Sequence, residues 1–220
     1  MKRQPGRIMM IIFACAAVIG AATAANGPAR AQSRPLSIVA FGDSLSAGYG
    51  LPADAAFPAV LERALRARGH NVEIVNAGVS GDTATAGLDR LDWSVPDGTD
   101  GVIVELGAND MLRGTDPAVA RRAIEAIVER LKSRGIPVML AGMYASPNLG
   151  VEYGRAFNRI FPDIAKKHDL VLYPFFLDGV VGETSLNLPD GLHPTAKGVE
   201  VIVSRILPSV ETFLARLQNR

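Results

Sequence analysis

A serine in one loop and an aspartate–histidine pair in another could together perform nucleophilic catalysis. Ser44 lies in the segment Gly42–Gly48, and Asp190 precedes His193 by three residues. A serine hydroxyl is a poor nucleophile at neutral pH, so it needs a neutral imidazole to remove its proton and a carboxylate to orient that imidazole. We therefore predict that Ser44 is the nucleophile of an acyl transfer, His193 its general base and Asp190 the orienting carboxylate.

Each of these segments also has a simpler interpretation. Glycine, aspartate and serine are common in turns, and Asp190 with His193 could only shape a turn and cap the next helix. The chain has just three histidines, and His70 and His168 stand where two helices are expected to end. Residues in such places are typically solvated. His193 is therefore the candidate base.

Acyl transfer also requires hydrogen-bond donors for the oxyanion of the tetrahedral intermediate. The Ser44 amide would begin a helix, where N–H groups lack partners. The Asn109 side chain lies in Gly107–Asp110, after another predicted strand. Glycines in the segment Asn76–Thr83 allow backbone N–H groups to approach a substrate closely. Each segment alone is typical of turns, and their joint occurrence after successive strands predicts an oxyanion hole.

The scaffold that must hold these loops is also predicted by the sequence. Short runs rich in Val, Ile and Leu alternate with segments whose apolar residues recur at helical spacing. The expected strands are Leu36–Phe41, Val72–Asn76, Gly101–Leu106, Ile136–Met143 and Leu170–Tyr173. Such runs are typical of parallel strands covered on both faces. The pattern predicts an α/β protein with a three-layer, doubly wound sheet, whose sites form beyond the carboxyl ends of the strands.

Two single residues carry smaller expectations. Pro194 suits the first turn of the last helix, where a missing N–H removes no hydrogen bond. Trp93, the only tryptophan, is expected to contribute to packing.

The first 31 residues differ from the rest and are typical of an export signal. A start with three basic residues precedes an apolar run over residues 8–25, and two Ala-x-Ala sites follow it. We predict cleavage after Ala24 or Ala31, with residues 32–220 forming a single domain. The apolar run could also be a retained membrane anchor. Its Gly and Ala content favours removal.

The composition of residues 32–220 excludes several classes of protein. They hold 19 basic and 22 acidic residues, a balance of about −3, which gives no indication of a nucleic-acid partner. The only cysteine, Cys15, lies in the leader, so the mature chain can form neither a disulfide nor a thiolate metal site. We expect no stable membrane insertion of the mature chain, and the oligomeric state is left open.

Four short blocks of this sequence resemble those of the SGNH, or GDSL, hydrolases. The blocks are Gly42-Asp43-Ser44-Leu45-Ser46, Gly81, Gly107-x-Asn109-Asp110 and Asp190-x-x-His193. The longer stretches around them resemble the bacterial branch of arylesterases and acyl-CoA thioesterase I/lysophospholipase L1, over nearly the whole mature chain. The resemblance implies a flavodoxin-like sheet of five parallel strands in the order 2-1-3-4-5, with no metal and no cofactor.

The resemblance also assigns roles by position. It implies an oxyanion hole made of the Ser44 N–H, the Gly81 N–H and the Asn109 side chain, with Gly78 as a competing position. It further implies that Met111–Asp116 forms a mobile wall of an acyl pocket, although the same segment could be an ordinary turn before a helix. The substrate-binding residues expected there are Met111, Leu112, Arg113 and Gly114.

The activity implied by the resemblance is hydrolysis of acyl, aryl or lysophospholipid esters through an acyl-Ser44 intermediate, with thioesters as a further candidate substrate. Such an enzyme would be periplasmic or secreted, and a small-molecule ester or lipid would be its partner. Two alternatives stay open at this point. One is an O-acetyl esterase acting on polysaccharide, and the other is a binding protein that keeps the fold without catalysis.

Overall fold

Five parallel strands form one sheet in a computed structural model of the chain. The structure describes Met1 and residues 34–219, so the predicted leader and its cleavage sites lie outside the described residues apart from Met1. The strands are β1 (Leu36–Gly42), β2 (Val72–Gly78), β3 (Gly101–Glu105), β4 (Val138–Ala141) and β5 (Val171–Tyr173). Their order is β2-β1-β3-β4-β5, and every neighbouring pair is parallel. The predicted strand order is confirmed.

Helices connect the strands and cover the sheet. Within residues 34–219 they are α1 (Ser44–Ala47), α2 (Phe57–Ala67), α3 (Ala84–Ser94), α4 (Ala108–Leu112), α5 (Pro117–Ser133), α6 (Val151–Asn158), α7 (Ile160–His168) and α8 (Ala196–Gln218). Three 3₁₀ segments lie at Ala53–Ala55, Pro147–Leu149 and Thr184–Leu186. The crossover from β1 to β2 runs opposite to the later ones, so right-handed connections place α2 on one face and α3, α5 and α7 on the other. Consistent with this, α2 packs on α8 and α3 packs on α5.

The central strands β1 and β3 have apolar side chains that are buried on both faces. Ile38, Val39 and Phe41 of β1 and Val102 and Ile103 of β3 are fully buried. Each such side chain contributes about 1.5 to 3 kcal/mol when it is removed from water. This burial explains why the strands appear in the sequence as continuous apolar runs rather than as alternating ones.

The observed ends of β4 differ from the predicted range Ile136–Met143. Pro137 has no N–H to donate, so the ladder begins after it, at Val138. The neighbouring strand β5 ends at Tyr173. Gly142 donates its N–H to the Tyr173 carbonyl at 2.7 Å, and its own carbonyl accepts a bond from the Phe176 N–H, beyond the strand, at 2.8 Å. The chain then turns away from the sheet.

Two expectations about single residues are wrong. Pro194 does not lie in the first turn of α8, because Thr195 is the N-cap and its hydroxyl accepts a bond from the Gly198 N–H at 3.2 Å. Trp93 is 79% exposed. The buried side of α3 contains Gly87 and Leu91, and Trp93 lies off that side.

No helix among residues 34–219 is long and apolar enough to cross a membrane.

Close backbone contact at the carboxyl edge of the sheet fixes the position of α1. A Cβ atom on Gly78, at the end of β2, would lie 2.3 Å from the Ala47 backbone nitrogen and 2.8 Å from the Asp43 carbonyl. Only glycine therefore allows α1 to sit against the end of β2. Asp43 and Ala47 bracket the segment that holds Ser44.

We predict that Gly78→Ala lowers the free energy of unfolding by about 1 to 3 kcal/mol, because the added methyl group meets backbone rather than a flexible side chain. Gly154→Ala is the matched control, since a Cβ there would have no atom within 4 Å. Gly154 lies inside α6, where alanine should stabilise by about 0.5 to 1 kcal/mol. Denaturation by urea measures both, and equal effects of the two substitutions would contradict the packing argument.

Candidate active site

Ser44, His193 and Asp190 form a hydrogen-bonded row at the carboxyl edge of the sheet. The His193 Nε2 lies 3.0 Å from the Ser44 Oγ, and the His193 Nδ1 lies 2.7 Å from an Asp190 oxygen. If Nδ1 carries the ring proton, it donates to the carboxylate, and Nε2 is free to accept the proton of the serine hydroxyl. The fold thus joins residues that are 149 positions apart in the chain.

The loop before α8 holds Asp190 in its ionised form. One Asp190 oxygen accepts bonds from the backbone N–H groups of His193, at 3.0 Å, and Leu192, at 2.9 Å. These bonds, together with the bond to the His193 ring, lower the pKa of Asp190 to about 2. The Leu188 N–H closes the loop by donating to the His193 carbonyl at 2.7 Å. Asp190 is therefore a carboxylate throughout the neutral pH range.

The serine is held by the short helix α1, of which it is the first residue. Asp43 caps this helix, with its carboxylate accepting a bond from the Leu45 N–H at 3.0 Å. Gly48 ends the helix in a left-handed conformation, with φ of 81°. The Ser44 amide belongs to the first turn, where N–H groups have no intrahelical partner. The hydroxyl and this N–H are thereby fixed on one rigid turn.

Two buried acids lie behind the serine. Asp43 is fully buried, and burial raises its pKa to about 6 in spite of the bonds that it accepts from Leu45 and Asn109. Glu105, at the end of β3, accepts a bond from the Ser46 hydroxyl at 2.8 Å. Burial, and next the charge of Asp43, raise the pKa of Glu105 well above its usual value. Both effects favour the protonated form of Glu105.

Glu105 and Ser46 were missed as functional positions in the sequence. The available signal was a glutamate inside the apolar run Gly101–Leu106, where an unpaired charge would be costly. Asp110 is also buried, and it accepts a bond from the Ala84 N–H at 2.7 Å. It therefore holds the start of α3 against α4.

Asn109 and Gly81, two of the expected oxyanion donors, lie in adjacent loops. The Asn109 Nδ2 lies 3.0 Å from an Asp43 oxygen and 3.0 Å from the Asp82 carbonyl. Because these bonds occupy both hydrogens of the amide, a substrate oxyanion would have to replace one of these two acceptors. Gly81 has a φ of 87°, and no described residue accepts a bond from its N–H.

Gly78, the competing position, has an engaged N–H. It donates to the Asn76 side-chain oxygen at 3.0 Å, and Gly78 pairs with Gly42 in the sheet. Its contact with α1 explains why glycine stands there.

A buried arginine, also missed in the sequence, ties the loops together. Arg90 is 8% exposed and donates to the carbonyls of Gly42, at 2.8 Å, and Ala77, at 2.9 Å. It also donates to the Asp82 carboxylate at 2.5 Å. Its guanidinium lies 4.3 Å from the centre of the Phe41 ring. One planar cation thus joins the ends of β1 and β2 to the loop that contains Gly81.

An open cavity of about 300 Å³ adjoins the row of catalytic candidates. Its lining is mostly apolar and consists of Met111, Leu112, Met143, Tyr144, Ala145, Ser146, Pro147, Phe175, Leu177, Val181, Asn187, Gly191 and Leu192. Tyr144 and Phe175 stack with ring centres 4.8 Å apart. Gly191 and Leu192 lie between Asp190 and His193 in the chain, so the cavity lies against the loop that holds the candidate base.

Four residues after Asn109 were expected to bind substrate, and the structure separates them into two pairs. Met111 and Leu112, which belong to α4, line the cavity. Arg113 instead donates to the Gly81 carbonyl at 2.8 Å. Gly114 is not part of the lining, and with φ of 63° it forms the turn toward α5.

The other two histidines lie near helix ends, as expected, but they are less solvated than expected. The His70 Nε2 lies 3.3 Å from Glu211. His168 has a side chain that is only 10% exposed, and its Nε2 lies 3.5 Å from Glu125. Glu125, Glu129 and His168 have ligand atoms within 4.8 Å of one another. The Lys167 ammonium lies 2.6 Å from Glu125. Lys167 therefore already supplies a positive charge to this cluster.

A three-layer α/β fold with a serine–histidine–aspartate row beyond its strand ends defines the class of the protein. The model of the GDSL-like lipase/acylhydrolase family matches residues 40–201. The chain belongs to this family, as its sequence blocks predict.

Relatives and a solved structure agree with this membership. The arylesterase of Vibrio mimicus is 38% identical over 158 residues, which is 71% of this chain and 79% of the relative. The thioesterase 1/protease 1/lysophospholipase L1 of Escherichia coli K12 is 36% identical over 159 residues, or 72% and 75% of the two chains. The crystal structure of AlinE4, an SGNH-hydrolase family esterase, is 49% identical with a TM-score of 0.70, and the match covers 83% of this chain and 98% of that one. The predicted fold class is thereby confirmed.

We predict that Glu105→Gln reduces the loss of stability between pH 5 and pH 8. The native pKa of Glu105 lies above its unfolded value, so the group favours folding at low pH and this contribution is lost as pH rises. Glutamine keeps the volume and has no proton to lose. The free energy of unfolding in urea, measured at several pH values, tests this. Glu200→Gln on the exposed side of α8 is the control, and a wild-type pH slope in Glu105→Gln would contradict the assignment.

Proposed function

We propose that the protein is a serine esterase that hydrolyses carboxylic esters through an acyl-Ser44 intermediate. The observation that carries the proposal is the bonded row of Ser44, His193 and Asp190, at 3.0 and 2.7 Å. Membership in a lipase/acylhydrolase family supports the same reaction. The intact row also argues against a non-catalytic binding protein.

Acylation begins when the Ser44 oxygen attacks the ester carbonyl carbon. His193 accepts the serine proton at Nε2, and Asp190 stabilises the imidazolium that forms. The N–H groups of Ser44 and Gly81 and the side chain of Asn109 donate to the new oxyanion. When the carbonyl re-forms, the bond to the alcohol oxygen breaks, and His193 returns the proton to the departing alcohol.

Deacylation repeats these steps with water as the nucleophile. His193 removes one proton from the water as its oxygen attacks the acyl carbon. The second tetrahedral intermediate uses the same donors, and its collapse breaks the bond to the Ser44 oxygen. The proton on His193 returns to Ser44, which leaves a carboxylic acid and the regenerated hydroxyl.

The cavity beside the loop that holds His193 suggests the chemical class of substrate. Its walls offer aliphatic and aromatic side chains, with stacked Tyr144 and Phe175, and its polar groups are few. Such a surface suits an acyl chain or an aryl group better than a polysaccharide. Esters of fatty acids, aryl esters and lysophospholipids are therefore the proposed substrates, and thioesters are included because one relative bears the name of a thioesterase.

The proposal includes export of the protein. Residues 1–31 have the pattern of a signal peptide, so a single domain of residues 32–220 would act in the periplasm or outside the cell.

We predict that Ser44→Ala lowers kcat for p-nitrophenyl butyrate by at least about 1,000-fold, because the nucleophile is lost while binding surfaces stay intact. Ser204→Ala removes an exposed hydroxyl on α8 and serves as the matched control. Release of p-nitrophenol by residues 32–220 measures both. Full turnover in Ser44→Ala would overturn the proposal.

We further predict that kcat/KM rises from acetyl to medium-chain p-nitrophenyl esters, as more of the acyl chain leaves water in the cavity. Ala145→Phe should reduce kcat/KM for the longer chains and spare the acetyl ester, because Ala145 lines the cavity. The same measurement of kcat/KM is made with acetylated oligosaccharides as substrates. Preferred turnover of those sugars, with no gain from chain length, would favour a polysaccharide O-acetyl esterase.

A further inference from the structure

The ring of Tyr49 lies against the imidazole of His193. The ring centres are 4.4 Å apart, and the ring planes are inclined by 35°. Tyr49 follows Gly48, the C-cap of α1, and its N–H donates to the Ser44 carbonyl at 3.1 Å. The residues on either side, Gly48 and Gly50, have φ values of 81° and 74°. The loop that holds the nucleophile therefore also holds a ring against the base.

Hydrogen bonds alone leave one motion of the imidazole unopposed. Asp190 holds Nδ1 and Ser44 holds Nε2, so the ring is bonded at two points. Rotation of the ring about the line through these two nitrogens keeps both contacts and changes the inclination of the ring plane. An aromatic ring packed on the imidazole face opposes this rotation, because the tilt would drive the two rings into each other.

The same contact has an electrostatic consequence. The face of an aromatic ring carries partial negative charge and attracts a cation placed over it. The imidazole becomes a cation when it removes the proton of Ser44. The other charged or titratable groups that face it are Asp190, bonded to Nδ1, and Asp43, which acts on it through its charge. The Tyr49 ring lies against the imidazole itself rather than at one of its nitrogens.

We propose that Tyr49 is a positioning residue that holds the plane of the His193 ring and stabilises its imidazolium form. The proposal rests on the proposed function, since it needs His193 to be the base. The aromatic face carries the effect and the phenol hydroxyl does not, because the contact is between ring faces. Phenylalanine should therefore replace Tyr49 without loss, and leucine should not.

Titration of the histidines by NMR tests the proposal without any turnover. The chain has three histidines, so His70 and His168 serve as internal references in the same spectra. In Tyr49→Leu the midpoint of His193 protonation should move about 0.4 to 0.7 pH units lower, because a cation–π contact worth about 0.5 to 1 kcal/mol is lost. Leucine keeps an apolar cover over the ring. In Tyr49→Phe the midpoint should match that of the wild type.

Kinetics supply the second readout. Tyr49→Leu should reduce kcat by about 2- to 5-fold, with the acid limb of the kcat/KM profile displaced to lower pH and KM unchanged. Tyr49→Phe should retain wild-type rates. Trp93→Leu is the control, because it removes an exposed aromatic side chain near the C-terminal end of α3. It should leave both kcat and the pH profile of kcat/KM unchanged. Tyr49→Met is a second substitution without an aromatic face and should behave like leucine.

Three outcomes would overturn the proposal. The first is an unchanged His193 midpoint in Tyr49→Leu and Tyr49→Met. The second is a reduction of kcat in Tyr49→Phe that equals the reduction in Tyr49→Leu, which would assign the effect to the phenol hydroxyl. The third is a rise in KM with an unchanged pH profile, which would make Tyr49 a substrate contact. If Ser44→Ala were fully active, the proposed function would fail even with the NMR shift observed, so the two failures are distinguishable.

Discussion

All five strands of the sheet run in the same direction, and this constraint brings every candidate catalytic group to one edge. Ser44 follows β1, Gly81 follows β2 and Asn109 follows β3, so three successive crossovers deliver a hydroxyl and two donors to neighbouring strand ends. Parallel strands allow this because their carboxyl ends meet at the same side of the sheet. His193, the candidate base, lies in the loop before α8.

Buried polar groups near this edge keep the loops in place. Removing such groups from water costs free energy. Arg90 offsets part of that cost by bonding two carbonyls and the Asp82 carboxylate at once. Burial raises the pKa of Glu105 well above the usual value, which favours the uncharged form of this carboxyl group. Asp190 shows the opposite behaviour, because the backbone N–H groups of its own loop stabilise its charge. Their surroundings thus shift the pKa values of the two carboxyl groups in opposite directions.

The sequence predicted the elements that depend on local pattern. The five strands, their order and the blocks around Ser44, Asn109 and His193 follow from apolar runs and from resemblance to a family, and the structure and the comparisons confirm the fold. Strand ends were less predictable, because the end of β4 depends on where β5 stops. The short helix α4 was expected to be a loop, since Gly107–Asp110 is typical of turns.

Contacts between distant residues carried no local signal. Arg90 is a charged residue on an amphipathic helix, where solvent exposure is the usual outcome, and only the packing of α3 under the strand ends buries it. Tyr49 is one residue in a glycine-rich turn, and its contact depends on a loop more than 140 residues later. Trp93 was expected to contribute to packing, and the orientation of α3 exposes it.

The central claim is that Ser44 is the nucleophile and that His193 activates it. Labelling of residues 32–220 with a fluorophosphonate, followed by peptide mass spectrometry, tests this most directly, because the reagent bonds to an activated serine and needs no knowledge of the substrate. We predict a single adduct, on Ser44, and a large loss of labelling rate in His193→Gln. An adduct on another serine, or equal labelling in His193→Gln, would contradict the account.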